Sequence, residues 1–406
     1  MNIAFFVNEP MNNPIENSAL KFNKELIKGF EELGHKIFLV NFSEKDVLNQ
    51  INETFRQRID FGFGFNIIYA YCLNIKNEAD ENIFNKLNIP FVNWFWDGIC
   101  VPTNPAARYP GINHLLVACM NEDEVYDFKI LSPHVKQAFF LPLSGCFADN
   151  KGGGYKLIKD RRYKISFIGT YSSEFLKRSW EGMPKAIENL LNDIIDLIID
   201  DPMLPMVSAV KKVLNAKNMA VDDQWFRKFC LNYLSYVNMF RRTYLRAKII
   251  RTIAKSGLKI NVFGKDFNAE SNEHWKAEKW VIAGKGSTYA EDLKIHTDSQ
   301  IALNIGMFTG GLHDRIFSAM FSGAVSLTDP STCYSKYFVD GQDSLTFDWK
   351  HLDELPQKIC KYLLDEDKMQ EIADAGRKKA FEQHTWRHRA EKIVEQVELY
   401  KIVNGI

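Results

Sequence analysis

No CxxC pair occurs among the seven cysteines, which are scattered as Cys72, Cys100, Cys119, Cys146, Cys230, Cys333 and Cys360. Their odd number and wide spacing argue against a zinc ligand set or a disulfide framework and fit a reducing compartment. The opening residues, MNIAFFVNEP, lack the basic start and long apolar run of a secretory signal. The most apolar helical stretch, Ile187 to Ile199, is interrupted by Glu188, Asp193 and Asp196, so no bilayer span is expected. Net charge is also missing, with 51 Lys and Arg balanced by 51 Asp and Glu. That balance does not indicate a general nucleic-acid or anionic-membrane surface. No internal repeat, low-complexity run or coiled-coil heptad is present. The expectation is a soluble, cytoplasmic protein that binds no nucleic acid.

What is present fits large globular cores. The 406 residues are 46% hydrophobic and 25% charged, with 30 Phe, 15 Tyr and 8 Trp. That length exceeds one ordinary core and predicts two or three domains.

Short apolar strands alternate with amphipathic helices over the first ~145 residues. Strands are predicted at residues 2–7, 37–40, 67–72, 90–96, 115–119 and 138–143. A helix through Leu20, Leu26, Ile27, Phe30 and Leu33 stops at Gly34, and a further helix starts at Glu122. This is the pattern of a doubly wound α/β domain. The Gly-rich, charged stretch 147–163 reads as a linker. A strand at 164–170 restarts the alternation, which pauses for helices between about 181 and 243, one of them marked by Trp225 to Tyr236; a separate helix through Tyr244, Ile249, Ile250 and Ile253 then stops at Gly257. Strands follow at 258–264, 281–282, 301–305 and 324–327, and the tail after His351 is helical. The predicted division is 1–146, linker 147–163, a second domain at 164–385 with its helical insertion, and a closing helix at 386–406.

The stretch Gly310 to Asp343, GGLHDRIFSAMFSGAVSLTDPSTCYSKYFVDGQD, organises the second half. A buried strand leads into Gly310-Gly311, a helix with apolar Leu312, Ile316, Phe317 and Met320, a stop at Gly323, and another strand. Free N–H groups and the positive dipole end at such a helix start suit a phosphate. Arg315, one turn in, adds a charge-assisted fork for the same anion. The alternatives are a plain tight turn, and a surface Arg paired with Asp314.

These pieces resemble the GT-B glycosyltransferases, and the second half resembles the group 1 glycosyltransferase-like domain of the CgeB (spore protein) type. The matching residues are Ile165-Ser166-Phe167-Ile168-Gly169-Thr170 with Arg178 following, Val262-Phe263-Gly264, Ile301-Ala302-Leu303-Asn304, Arg315-Ile316-Phe317, Gly323-Ala324, the loop Phe338 to Asp343, and His384 to Arg389. They cover roughly residues 160 to 395. The resemblance implies two Rossmann-like domains facing across a cleft, with a nucleoside-diphosphate sugar held by the C-terminal half and an acceptor by the N-terminal half. It implies no obligatory metal and no other cofactor. The acceptor is a glycan, a protein side chain or a small molecule. One departure is visible: where the family pattern reads Arg-x-Phe-Glu and the Glu holds the ribose hydroxyls, this chain has Ser318. A hydroxyl there accepts no charge-assisted pair, so the ribose contact is expected to shift to Asp314 or Asp343.

On this reading the donor side comprises Gly169, Arg178, Gly264, Gly284, Tyr289, Gly310, Gly311, His313, Arg315, Ser318 and Asp343. Tyr289 is a candidate ring platform for the base. Asp97, at the end of the strand containing Trp94 and Trp96, is the candidate general base, with a turn-capping Asp as the alternative. Asn8 and Glu9 rank next on the acceptor side, and Trp94 and Trp96 are candidate sugar-stacking faces. A sugar-nucleotide epimerase of the same shape and a non-catalytic sugar-nucleotide-binding protein are the competing functions.

Overall fold

The computed structural model describes residues 1–11, 17–102, 104–148, 155–171, 177–264, 280–283 and 288–406. The chain forms two compact units. The first contains Met1–Leu143, Val221–Ser235 and Thr385–Ile406, and the second contains Ser144–Ala220 and Tyr236–His384.

In the first unit six parallel strands form one sheet: β1 (Asn2–Val7), β2 (Lys36–Asn41), β3 (Phe61–Phe65), β4 (Phe91–Phe95), β5 (Leu115–Cys119) and β6 (Gln137–Phe140). Their order is β2-β1-β3-β4-β5-β6, so chain direction across the sheet reverses between β1 and β3. Phenylalanine fills the core: Phe5, Phe6, Phe30, Phe61, Phe63, Phe84 and Phe91 are all fully buried, and Phe5 and Phe63 lie 4.9 Å apart. The strand expected at 67–72 is instead Phe61–Phe65, and Ile68–Cys72 is a short helix. The Phe-Gly alternation explains the shift. A Cβ on Gly62 would lie 2.5 Å from the Phe84 ring, and one on Gly64 would lie 2.4 Å from Ile68. The bare face of β3 therefore exists to receive those side chains. Helix α1 (Ser18–Glu32) ends as expected, with Gly34 at φ 81°. The closing helix, Trp386–Asn404, packs on α1. Gly29 leaves room for the Trp386 backbone, and the Phe22 and Trp386 rings are 5.0 Å apart.

The second unit has its own six-stranded parallel sheet: β7 (Tyr163–Ile168), β8 (Ile260–Phe263), β9 (Val281–Ala283), β10 (Ser299–Asn304), β11 (Val325–Thr328) and β12 (Leu345–Thr346). The order β12-β11-β10-β7-β8-β9 is the doubly wound arrangement in which the first and fourth strands are neighbours. The two-residue strand β12 is too short to have a periodicity and was not expected. Among the described residues between β7 and β8 lie the helices Lys185–Asp200, Met206–Ala216 and Asp223–Lys255. The last is one continuous 33-residue helix where the sequence suggested two. Its interior contains neither Gly nor Pro, so nothing in it breaks the hydrogen-bond ladder. Among the described residues no helix is long and apolar enough to cross a membrane.

Candidate functional site

In a doubly wound sheet, ligands bind outside the carboxyl ends of the strands where the winding reverses. In the second sheet that point lies between β7 and β10. The loop after β7 carries Gly169 and Thr170, and the loop after β10 runs from Ile305 to His313. A buried carboxylate shapes it. Asp329, just past β11, accepts from the N–H groups of Gly306 (2.9 Å) and Met307 (2.7 Å). These bonds hold Met307 at φ 63°, a conformation costly for a side-chain-bearing residue. Burial pushes the Asp329 carboxyl above its ordinary value, and the two N–H bonds counter part of that shift.

The helix after this loop is Asp314–Phe321, with His313 at its N-cap. Gly310 and Gly311 therefore lie upstream of the cap, buried in the loop, rather than at the first turn of the helix. His313 Nδ1 faces two partners, the Asp314 carboxylate at 2.6 Å and the Arg315 N–H at 3.3 Å. The shorter contact assigns the proton to Nδ1, donated to Asp314, which leaves Nε2 as the ring's acceptor. Burial and the neighbouring Arg315 push the His313 imidazole down to about 4, so it is neutral at physiological pH. Burial raises the Asp314 carboxyl, but His313 and Arg315 outweigh it and hold the group below its usual value.

Arg315 reaches back to the β7 loop: a Cβ placed on Gly169 would lie 3.6 Å from its Nη1. That Nη1 is buried and has no hydrogen-bond partner among the described residues. A buried guanidinium nitrogen without an acceptor is costly. Gly264 packs against the same loop. At φ 126° a Cβ there would lie 2.0 Å from the Gly169 carbonyl oxygen, so the glycine allows two loops to touch.

Several expected donor contacts are placed elsewhere. Ser318 is buried, and its hydroxyl accepts from the Cys146 N–H at 3.1 Å. A Cβ on Gly145 would lie 2.2 Å from Ser318 N, so the backbone at 145–146 lies directly on the helix. The Tyr289 side chain lies close to Ser318 and Cys146, and burial pushes its hydroxyl well above the ordinary value. Both side chains thus serve the packing of residues 145–146. Arg178 donates to Asn192 (2.8 Å) and pairs with Asp196 (2.6 Å), both on the helix Lys185–Asp200. Asp343 precedes β12, at the amino end of the sheet and away from the crevice, where it pairs with Lys379 and accepts from Val339 N–H at 2.9 Å. Gly284 lies outside the described residues.

In the first unit, Asn8 and Glu9 follow β1 at the corresponding reversal. Asn8 donates to the Tyr71 hydroxyl (2.9 Å), and Glu9 accepts from Asn23 (2.8 Å). Trp94 is fully buried, donates to the Leu141 carbonyl at 3.1 Å, and presents no face to a ligand. Trp96 is half-buried, with one face stacked on Phe65 at 5.0 Å and 10°. Asp97 is exposed just beyond β4. Beneath it lies a group the sequence did not single out. Glu124 is buried, a Cβ on Gly98 would lie 2.8 Å from its Oε1, and its carboxyl is pushed up to about 8, by burial first and then by Asp127.

Residues 241–395 match a protein family described as glycosyl transferase-like. No curated protein is close enough in sequence to count as a relative. Among solved structures, an alpha-glucosyltransferase in complex with UDP superposes with a TM-score of 0.56 at 9% identity, covering 98% of this chain and 100% of the other. Anabaena Alr3699/HepE in complex with UDP and glucose gives 0.53 at 10% identity, over 97% and 99% of the two chains. AviGT4, a glycosyltransferase involved in avilamycin A biosynthesis, gives 0.50 at 13%, over 100% and 98%. The fold is GT-B. Within that fold the crevice at Gly169, the β10 loop and Arg315 is the switch point of the C-terminal Rossmann-like sheet. Two residues contributing to it, Arg246 and Asp329, carried no motif in the sequence. Arg246 shares the run Tyr244 to Ile250 with a second cation, Lys248, so nothing in the sequence set it apart.

Proposed function

We propose that this protein transfers a sugar from a nucleoside-diphosphate sugar to an acceptor hydroxyl. The observation that carries the reading is the buried Nη1 of Arg315 at the switch point, beside Gly169, with no hydrogen-bond partner among the described residues. Cleavage of a sugar–phosphate bond leaves negative charge on the departing diphosphate. A preorganised cation in a site shielded from water stabilises that charge most when it is fully developed. Arg315 is assigned to that charge, the Nε2 of neutral His313 to a donor hydroxyl, and the glycine loop to close backbone approach. In this proposal the arginine charge does the work that a divalent metal does in other enzymes. Asp97 is the proposed base for the acceptor hydroxyl, exposed at the carboxyl end of β4. The match of residues 241–395 to glycosyl transferase-like proteins and the UDP in the superposed structures support the same reading. The acceptor classes remain a glycan, a protein side chain or a small molecule.

The test is incubation with UDP-, GDP-, dTDP- and CMP-sugars, alone and with acceptors. Slow donor hydrolysis by the wild type, lost in Arg315→Ala, is the expected result. A second reading, binding without transfer, is favoured by one observation: Ser318, where the resemblance expects a carboxylate, is buried and already hydrogen-bonded. Nucleotide-sugar binding with no turnover of any donor would select it.

A further inference from the structure

Arg246 is 3% exposed and belongs to the long helix Asp223–Lys255. Its guanidinium reaches both loops of the crevice. Nη1 donates to the Thr170 carbonyl at 2.9 Å, while Nη2 and Nε donate to the Ile305 carbonyl at 3.2 and 3.4 Å. Thr170 follows β7 and Ile305 follows β10, so one side chain ties together the two strands that flank the switch point. These hydrogen bonds all go to neutral carbonyls. Among the charges near it in the described residues, Arg242 and Arg315 oppose it and Asp329 favours it. The Asp329 carboxylate is itself committed to the Gly306 and Met307 N–H groups. A buried cation with like-charged neighbours is unfavourable unless an anion offsets it. Independently, the buried Nη1 of Arg315 has no hydrogen-bond partner among the described residues, as suits a group that meets an anion.

We propose that Arg246 is the positioning residue of this crevice: it fixes the spacing of the β7 and β10 loops and, together with Arg315, forms a paired positive charge completed by a bound diphosphate. The proposal rests on the nucleoside-diphosphate reading of the site and adds to it a residue that contacts the loops rather than the sugar. Arg315 makes the direct contact; Arg246 sets where that contact occurs.

Calorimetric titration with inorganic pyrophosphate and with UDP and GDP tests this, using the full chain and the variants Arg246→Lys and Arg315→Lys. Lysine keeps the charge but cannot span two carbonyls. Arg246→Lys is expected to weaken pyrophosphate and nucleoside-diphosphate binding about ten-fold or more. The loss in the double variant is expected to be smaller than the product of the single losses, because both residues act on one anion. A merely structural role would lower the unfolding temperature of Arg246→Lys and leave the affinity of the folded protein unchanged, which overturns the proposal. If the wild type binds pyrophosphate or a diphosphate and Arg246→Lys binds it equally, the positioning role falls and the donor-site reading stands. If the wild type binds none of these ligands, both fall. Should the variant not fold, a crystal of the wild type soaked in pyrophosphate decides. The anion must lie within hydrogen-bond reach of Arg315 and about 6 Å or less from Arg246, and any other location overturns the assignment.

Discussion

Ser318 shows how one residue's neighbours limit what it can do. Its side chain meets the Cys146 N–H and lies close to the Tyr289 side chain, and the backbone at Gly145 lies against its own. Ser318→Glu would place the family's carboxylate in a filled space. It is expected to lower the unfolding temperature, by about 3 kcal/mol of stability, without tightening nucleotide binding in a thermal-shift assay. Glu124 gives a pH prediction. The unfolded carboxyl ionises near 4.5 and the folded one near 8, so between these values the folded state holds the extra proton. Stability from this group therefore falls as pH rises through that window and is flat above it. Glu124→Gln should remove the fall and raise the unfolding temperature at pH 8. His296 and His313, both pushed down to about 4 with burial the main cause, act in the opposite sense. Their contribution is complete above pH 6.5 and is lost as pH drops toward 4. Thermal unfolding of wild type and Glu124→Gln across pH 4 to 9 separates the two effects.

At the scale of the element, helix ends in the second unit are tied down by a single buried cation. Arg161 donates to the carbonyls of His296 and Ser299, at the end of the helix Tyr289–Thr297 and the start of β10. It also donates to Ser322 at the end of Asp314–Phe321, and to Lys156. Burial pushes its pKa down to about 10, with Asp298 opposing the shift. Cations at helix carboxyl ends satisfy carbonyls that have no partner within the helix and complement the dipole. Arg161→Ala leaves several of these acceptors unpaired at once. It is expected to cost about 3 kcal/mol or more, read as a lower denaturant midpoint at unchanged slope. The sequence located most elements because their apolar periods and glycine stops are local: Gly34, Gly257 and Gly323 all end helices with positive φ. It misplaced β3 because a Phe-Gly alternation contains too few apolar residues to resemble a strand. It also split the helix Asp223–Lys255, whose buried positions shift around the axis along its length.

For the molecule as a whole, the two units each have a separate apolar core and a separate sheet. Scanning calorimetry is expected to resolve two transitions. A nucleoside diphosphate should raise the one belonging to Ser144–Ala220 and Tyr236–His384, because a ligand stabilises only the state that binds it. An equal rise in both transitions would contradict the placement of the site in the second unit alone.

The alternation of strand and helix, the two-sheet α/β class, Arg315 and the loop before its helix are all legible in the sequence. Each depends on residues close together in the chain. The proximity of Arg246 to Arg315, the packing of Gly145 and Cys146 on Ser318, and the burial of Trp94 and Glu124 were decided only by tertiary structure. Whether a charge or hydroxyl is free to meet a ligand depends on which distant groups reach it first. A linear pattern of residue types does not encode that competition.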